Sequence, residues 1–441
     1  MRNPMSLARP APAGPVPARP HRALLLVLSA TMLIDALEVS IVVVALPSIG
    51  GGLRVPVSAA QWLMSGFALG FGAMALFGGR IMDRLGQRRG YLVALACYAA
   101  MCVVSGLAPD AGVLIASRVA RGCCAALTAP TGLAIIARTF PEGAARNRAL
   151  AIYAAFGASG FTAGLLLSGL LTSAGWRWTL ISPAPVAIVL LMIGSRVIPR
   201  GQPGPGRIAR PLRQLRLLTR GTLLRAGLAA AALNGSYWGL LVITTFWLQD
   251  GLGWRPLPTA LVLLPASVPP MLAAPFSGSL VRRLGARRLV VAGLLIATAG
   301  YAVTLAGPPD RYVNGLLPAL LLVGLGYVGA FSALHMHALS GVPPDAARTA
   351  TAVYQSLVQV GGALILAVTS VVLAVHERSG PAHVVAASYR PVAIVITTVG
   401  ALGVAAALAG RRRSPSPSVI TPSDHAPEPA GGGRYKKPRT R

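Results

Sequence analysis

The sequence predicts an all-α membrane protein in which twelve transmembrane helices form two six-helix bundles. Three observations lead there. Hydrophobic residues make up 54% of the 441 positions and charged residues only 12%, about half the charged share of a soluble domain. Apolar runs of roughly twenty residues recur along the chain, each long enough to cross a hydrocarbon core about 30 Å thick. A short basic motif between the second and third runs returns between the eighth and ninth, so the two halves repeat.

Taken in order, residues 1–22 are Pro-rich and basic, too polar for lipid, and read as a disordered tail. Apolar runs follow at 23–48, 59–79, 90–108, 112–137, 148–172 and 177–198. The first is longer than the core of a signal peptide and is read as a retained span. Residues 23–199 therefore form an N-terminal six-helix bundle. Residues 200–224 are the longest polar connection and read as a basic linker. The C-terminal bundle, 225–410, holds runs at 225–248, 256–281, 288–307, 314–340, 348–375 and 387–410. The tail 411–441 is polar and rich in Pro and Ser, and reads as disordered.

The charge pattern orients the spans. Of 40 basic residues, 31 fall on the tails and on alternate connections, against six on the other side. Basic loops stay in the cytoplasm, so both termini are expected there, which also requires an even number of spans. The net charge of +29 is thus a topology signal. It does not mark a nucleic-acid binder, because no stretch interleaves Arg with stacking aromatics. The four cysteines, Cys97, Cys102, Cys123 and Cys124, lie inside apolar runs without His or acidic company. They read as small packing residues, and no metal or cofactor is expected. Arg used far more than Lys, with abundant Ala, Gly and Pro, is the composition of a GC-rich bacterial gene. The expected location is a bacterial inner or plasma membrane.

The repeat is GRIMDRLGQRR at 79–89 and GSLVRRLGARR at 278–288, offset by 199. The first copy resembles the cytoplasmic signature of the major facilitator superfamily. VVVALPSIG closing the first span, Arg118-Val-Ala-Arg-Gly122 in the fourth and Gly164-Leu-Leu-Leu-Ser-Gly169 in the fifth extend the likeness. Trp176-Arg-Trp178, TTFWLQDGLG in the seventh span and VYQSLVQVGGA in the eleventh complete it. Together these resemble the drug:proton antiporter branch, closer in motif to its fourteen-span group, although twelve spans are counted here. Glu38 stands where relatives carry Asp, Val43 where they carry Asn, and Arg121 where they carry Gln. Leu165 replaces the Pro of the fifth-span motif, and Ser168 its next Gly.

Few ionisable residues lie deep in the spans, and a charge at that depth is a functional candidate by default. Asp35 and Glu38, three apart, share one face of the first span. At 1.5 Å per residue Glu38 lies roughly 22 Å from the cytoplasmic start of its span, and Arg118 roughly 10 Å from the outer start of the fourth. These depths nearly coincide. The resemblance makes the two spans neighbours, so Glu38, with Asp35 and Arg118, is the expected proton-coupling group. His335 and His337 point in different directions near the end of the tenth span and read as interfacial. The resemblance implies that Gly79, Asp83, Arg84, Gly86 and Arg88 form a conformational latch, with Asp83 helping to join the two halves; simple capping of the third span is the plainer reading. Gly157, Gly160, Gly164 and Gly169 are spaced for close helix packing. Candidate cavity residues are Arg121, Asn234, Tyr237, Trp238, Gln249, Tyr354, Gln355 and Gln359, the two glutamines Gln249 and Gln359 matching family positions.

The expected activity is proton-coupled export of a small drug-like or secondary-metabolite molecule by a monomer in the bilayer. A proton symporter or facilitator importing a nutrient is the alternative, weakened by RVIPRG after the sixth span where sugar porters carry an acidic Pro-Glu-Ser-type motif. An intramembrane enzyme would need a catalytic constellation, and neither HExxH nor GxSxG occurs.

Overall fold

The computed structural model describes residues 19–56, 60–200, 221–306, 315–340, 342, 344–376 and 381–409. Most of the N-terminal tail, most of the linker 200–224 and the C-terminal tail lie outside the described residues. Among the described residues there is no strand. Twelve helices among the described residues are long and apolar enough to cross a membrane. They are α1 (His21–Ser40), α2 (Trp62–Leu85), α3 (Gln87–Gly106), α4 (Ala111–Thr139), α5 (Ala144–Thr172) and α6 (Trp176–Val197). The second set is α7 (Gly221–Gly251), α8 (Pro256–Leu284), α9 (Ala286–Ala306), α10 (Leu317–Leu339), α11 (Ala346–Leu373) and α12 (Ser388–Leu408). The chain is a multi-pass all-α membrane protein.

Two boundaries depart from the sequence reading. The first span does not run unbroken to residue 48: α1 stops at Ser40, and a short helix, Leu46–Leu53, follows. Between them the backbone makes i→i−3 bonds, Val43 N–H to Ser40 O at 3.0 Å and Ala45 N–H to Val42 O at 3.0 Å. The β-branched run Ile41 to Val44 lowers helix propensity, and Pro47 has no N–H to continue the ladder. The second difference is at 80–89, where α2 stays helical to Leu85 and only Gly86 separates it from α3. Gly86 has φ of +79° and Gly285, its partner 199 residues on, +80°. Two glycines accept the same left-handed turn, so the sequence repeat is a backbone repeat.

Within the N-terminal half, α1 packs on α5 and α2 on α4. The glycines of α5 set the first contact. A Cβ at Gly160 would collide with the Leu33 carbonyl oxygen and lie 2.8 Å from Ala36 Cβ. One at Gly164 would lie 2.7 Å from Leu37 O. Such close approach is what small residues at a helix interface provide. Gly157 faces only the flexible Met32 side chain, while Gly169 faces Pro256 and Ala260 of α8 in the other half. The halves meet along α2 with α11 and α5 with α8.

Candidate functional site

Glu38 is wholly buried, and both its carboxylate oxygens are occupied. Arg118 Nη1 reaches Oε2 at 2.5 Å. Arg121 Nη2 and Tyr98 Oη both donate to Oε1, the phenol at 2.6 Å. Arg118 and Arg121 stand three apart on α4, so one face presents both guanidiniums to α1. Arg118 spends its other donors on backbone, Nη2 to Glu38 O at 2.9 Å and Nε to Leu63 O at 3.0 Å. Arg121 Nη1 donates to Ser105 Oγ at 3.2 Å, which shares a 2.8 Å hydrogen bond with Ser117. Each guanidinium also lies over a ring, Arg118 above Phe67 and Arg121 above Tyr98, at 5.0 and 5.4 Å from the centroids. The cluster joins α1, α2, α3 and α4 with one carboxylate and two cations, a net charge of +1 inside the bundle.

Asp35, one turn away on α1, has a different setting. Thr128 Oγ1 of α4 donates to its Oδ2 at 2.7 Å, and the residue keeps 8% exposure. The two acids thus share a face toward α4 but not a partner. Tyr98 and Thr128 were missed by sequence reasoning, because a Tyr or Thr in an apolar run carries no signal of its own.

The expected latch residues lie at the ends of α2 and α3. Asp83 sits in the last turn of α2 and does not cap α3, whose cap is Gly86. An acid in a last turn faces the negative end of its helix dipole. Arg348 of α11, in the other half, compensates by donating to Asp83 Oδ1 at 3.2 Å and to Gly79 O at 2.8 Å. Arg88 donates to Ser195 O at the end of α6, tying α3 to α6 within one half, and Arg84 is exposed. At the opposite end, Gln249 Nε2 donates to Val44 O at 2.9 Å and Ser370 Oγ to Gln61 Oε1 at 2.8 Å. Gln249 lies in a π-helical turn, Trp247–Gly251, a wide turn frequent at functional sites.

The candidate cavity residues divide. Tyr237 is buried and lies in an aromatic chain that crosses between the halves. Phe161 of α5 is 5.5 Å from the Tyr237 ring, Tyr237 5.0 Å from Tyr327, and Tyr327 stacks on Phe331 at 4.9 Å. Tyr327 Oη donates to Asn234 Oδ1 at 3.0 Å. Tyr354 is buried with its hydroxyl unpartnered, and its ring meets His335 at 5.1 Å. Trp238 is directed to α11, where a Cβ on Gly362 would lie 2.9 Å from its ring. Gln359 borders Gly72 on the α2–α11 contact, with Gln355 half-buried near by in sequence. Arg121 belongs to the Glu38 cluster and is fully buried there. The four cysteines are free thiols, and among the described residues no group of His, Cys, Asp and Glu could hold a metal.

The family model of the Major Facilitator Superfamily matches residues 28–366. The chain belongs to this superfamily. It is similar to the puromycin resistance protein of Streptomyces alboniger, 32% identical, over 87% of this chain and 90% of the relative. It is also similar to the cephamycin export protein of Amycolatopsis lactamdurans, 31% identical over 87% and 91%. A solved bacterial homologue of the lysosomal transporter Spinster, in an inward-facing occupied state, superposes with a TM-score of 0.71 at 18% identity. That match covers 89% of this chain and 97% of the other, and shows the fold. The chain is accordingly a major facilitator superfamily transporter and not an enzyme, with the bilayer and a small molecule as its partners.

Proposed function

We propose that this protein exports a small aromatic molecule across a bacterial cell membrane in exchange for protons, by alternating access of its two six-helix halves around a central site. Both termini are cytoplasmic in this reading, from the basic-loop asymmetry, and the unit is a monomer because one chain holds both halves. Export is favoured by relatives whose names are those of resistance and export proteins.

The observation that carries proton coupling is the pair of α1 acids facing α4. They are not equivalent. Both oxygens of Glu38 are taken by two guanidiniums and a phenol, so a proton arriving there must displace a charge-assisted bond. Asp35 has one hydroxyl partner and some exposure. Asp35 is therefore the proton carrier, and Glu38 the anchor that holds Arg118 and Arg121 on the moving face of α4. This reverses the order in which the sequence ranks the two acids.

Substrate charge follows from the acids available. Among the described residues, the acids inside α7–α12 reduce to Asp250, at the end of α7 and away from the aromatic chain in sequence. Asp35 and Glu38 are committed to α4. An uncompensated cation beside Phe161, Tyr237, Tyr327 and Phe331 would lack a carboxylate, whereas a neutral or acidic planar ring would stack and could accept from Tyr354 Oη. The substrates are neutral or acidic aromatics.

Inside-out vesicles energised to an acid lumen, carrying a luminal pH dye, test the reading. Adding neutral and acidic aromatic antibiotics should alkalinise the lumen with wild type and leave it unchanged with Asp35→Asn. Undiminished alkalinisation in Asp35→Asn would overturn the assignment of Asp35. Substrate moving down its own gradient with no pH response in wild type would make the protein a facilitator.

A further inference from the structure

Away from the α1–α4 acids and the aromatic chain, the C-terminal half holds a second polar feature. A cavity of about 160 Å³ opens where the described parts of α7 and α9 begin and α10 and α12 finish. Its lining includes Arg225 and Thr222 of α7, Arg287 of α9 and His337 of α10, together with the apolar Val290 and Leu334. Arg225, Arg287 and His337 thus face one another across a single cavity lining. Among the described residues, neither arginine has a carboxylate within 4.0 Å. The helix α9 follows Gly285, which gives it no side-chain cap, and it has no acid in its first turn. Its first N–H groups therefore add positive potential at the same end.

Cations gathered round one cavity without an acid repel each other, and an anion between them removes the penalty. A water takes up about 30 Å³ in the liquid, so this space accommodates several waters or one tetrahedral oxyanion. Two guanidiniums, an imidazole and a hydroxyl are the donor set that phosphate oxygens take. The apolar part of the lining and the position at the ends of four membrane helices suit a lipid headgroup.

We propose that this cavity binds a phosphate group, as the phosphodiester of an anionic lipid or as the free ion, and so clamps the ends of α7, α9, α10 and α12. The site is independent of the proton and substrate sites proposed above.

The full-length protein in phosphatidylcholine nanodiscs, with and without phosphatidylglycerol, provides the test. Native mass spectrometry should show phosphatidylglycerol retained by wild type. Its apparent affinity should fall about 25-fold in Arg225→Gln/Arg287→Gln, roughly a factor of five per cation removed. Arg225→Lys/Arg287→Lys, which keeps both charges, should recover most of the binding. Arg282→Gln/Arg283→Gln, two exposed arginines of the same basic turn that do not line the cavity, controls for bulk charge and should lose clearly less binding than the Arg225/Arg287 Gln pair. In a second arm, delipidated protein is titrated with inorganic phosphate and its thermal stability followed. Stabilisation by phosphate in wild type but not in the Gln pair, without phosphatidylglycerol retention, would identify the free ion as the ligand. The proposal is overturned if wild type neither retains the lipid nor responds to phosphate. It is equally overturned if the Arg225/Arg287 Gln pair and the Arg282/Arg283 Gln pair lose binding alike.

Discussion

Glu38→Gln is the most informative single substitution, because its consequence can be worked from the geometry. The wild-type cluster sets one carboxylate against two guanidiniums, with Glu38 and Arg121 at 0% exposure and Arg118 at 1%. The amide keeps the size of the side chain and can still bond Tyr98 or one arginine, but it leaves two buried cations facing each other without an anion. Breaking a buried ion pair from one side costs about 3–5 kcal/mol. Arg121→Gln should cost far less, since it leaves a neutral Glu38–Arg118 pair with that pair's own hydrogen bonds intact. The double variant removes one of the two cations that Glu38→Gln strands, so it should be more stable than Glu38→Gln alone. Coupling between positions 38 and 121 of about 1.5–3 kcal/mol is expected, at the upper end for contacting residues. Purified variants would be unfolded by graded denaturing detergent and the folded fraction followed by gel filtration. The reasoning is refuted if Glu38→Gln matches wild type, or if the two substitutions add to within about 0.5 kcal/mol.

Three further outcomes follow from the packing and the latch. Asp83→Asn and Arg348→Gln should each slow transport while leaving substrate affinity nearly unchanged. An exposed pair of this kind is worth about 0.2–1 kcal/mol, a population shift of about 1.4- to 5-fold, readable by cysteine accessibility at the end of α2; equal loss of binding would refute a latch. On α5, Gly160→Ala and Gly164→Ala should reduce folded yield by about 1–3 kcal/mol of stability, because each Cβ meets α1 backbone. Gly51→Ala, with open space around it, should be neutral in the same gel-filtration assay. Tyr237→Ala should weaken binding of planar aromatics at least several-fold, since a ring contact contributes about 0.5–1.5 kcal/mol beyond its area; fluorescence binding with Trp238→Phe as comparison would check it.

Much of this protein was legible in the chain, and the legible part has a common character. Twelve spans, the repeat at 79–89 and 278–288 and the acids of the first span are local properties. A bilayer imposes a minimum apolar length on each segment and a cost on each buried charge, so every helix declares itself without knowledge of its neighbours. The glycine spacing of α5 likewise announced a close contact, and Gly157, Gly160 and Gly164 make it with α1. The common depth of Glu38 and Arg118, which meet in the structure, is legible in the sequence because rise per residue is fixed along a helix.

What only the tertiary structure decided is which groups meet. Arg348 lies 265 residues from Asp83 and reads in the sequence as one more loop cation. Tyr98 and Arg121 close on the same oxygen of Glu38 from different helices, and on that geometry rests our proposal of Glu38 as an anchor and Asp35 as the proton carrier. The break after Ser40 was in reach of local reasoning, since Ile41 to Val44 and Pro47 are visible, yet hydropathy alone ran through it. Apolar length and charge are paid for residue by residue in the membrane, whereas a hydrogen bond depends on two side chains and on the packing angle that brings their helices together. The first kind of information is written along the chain; the second exists only once the helices have chosen their partners.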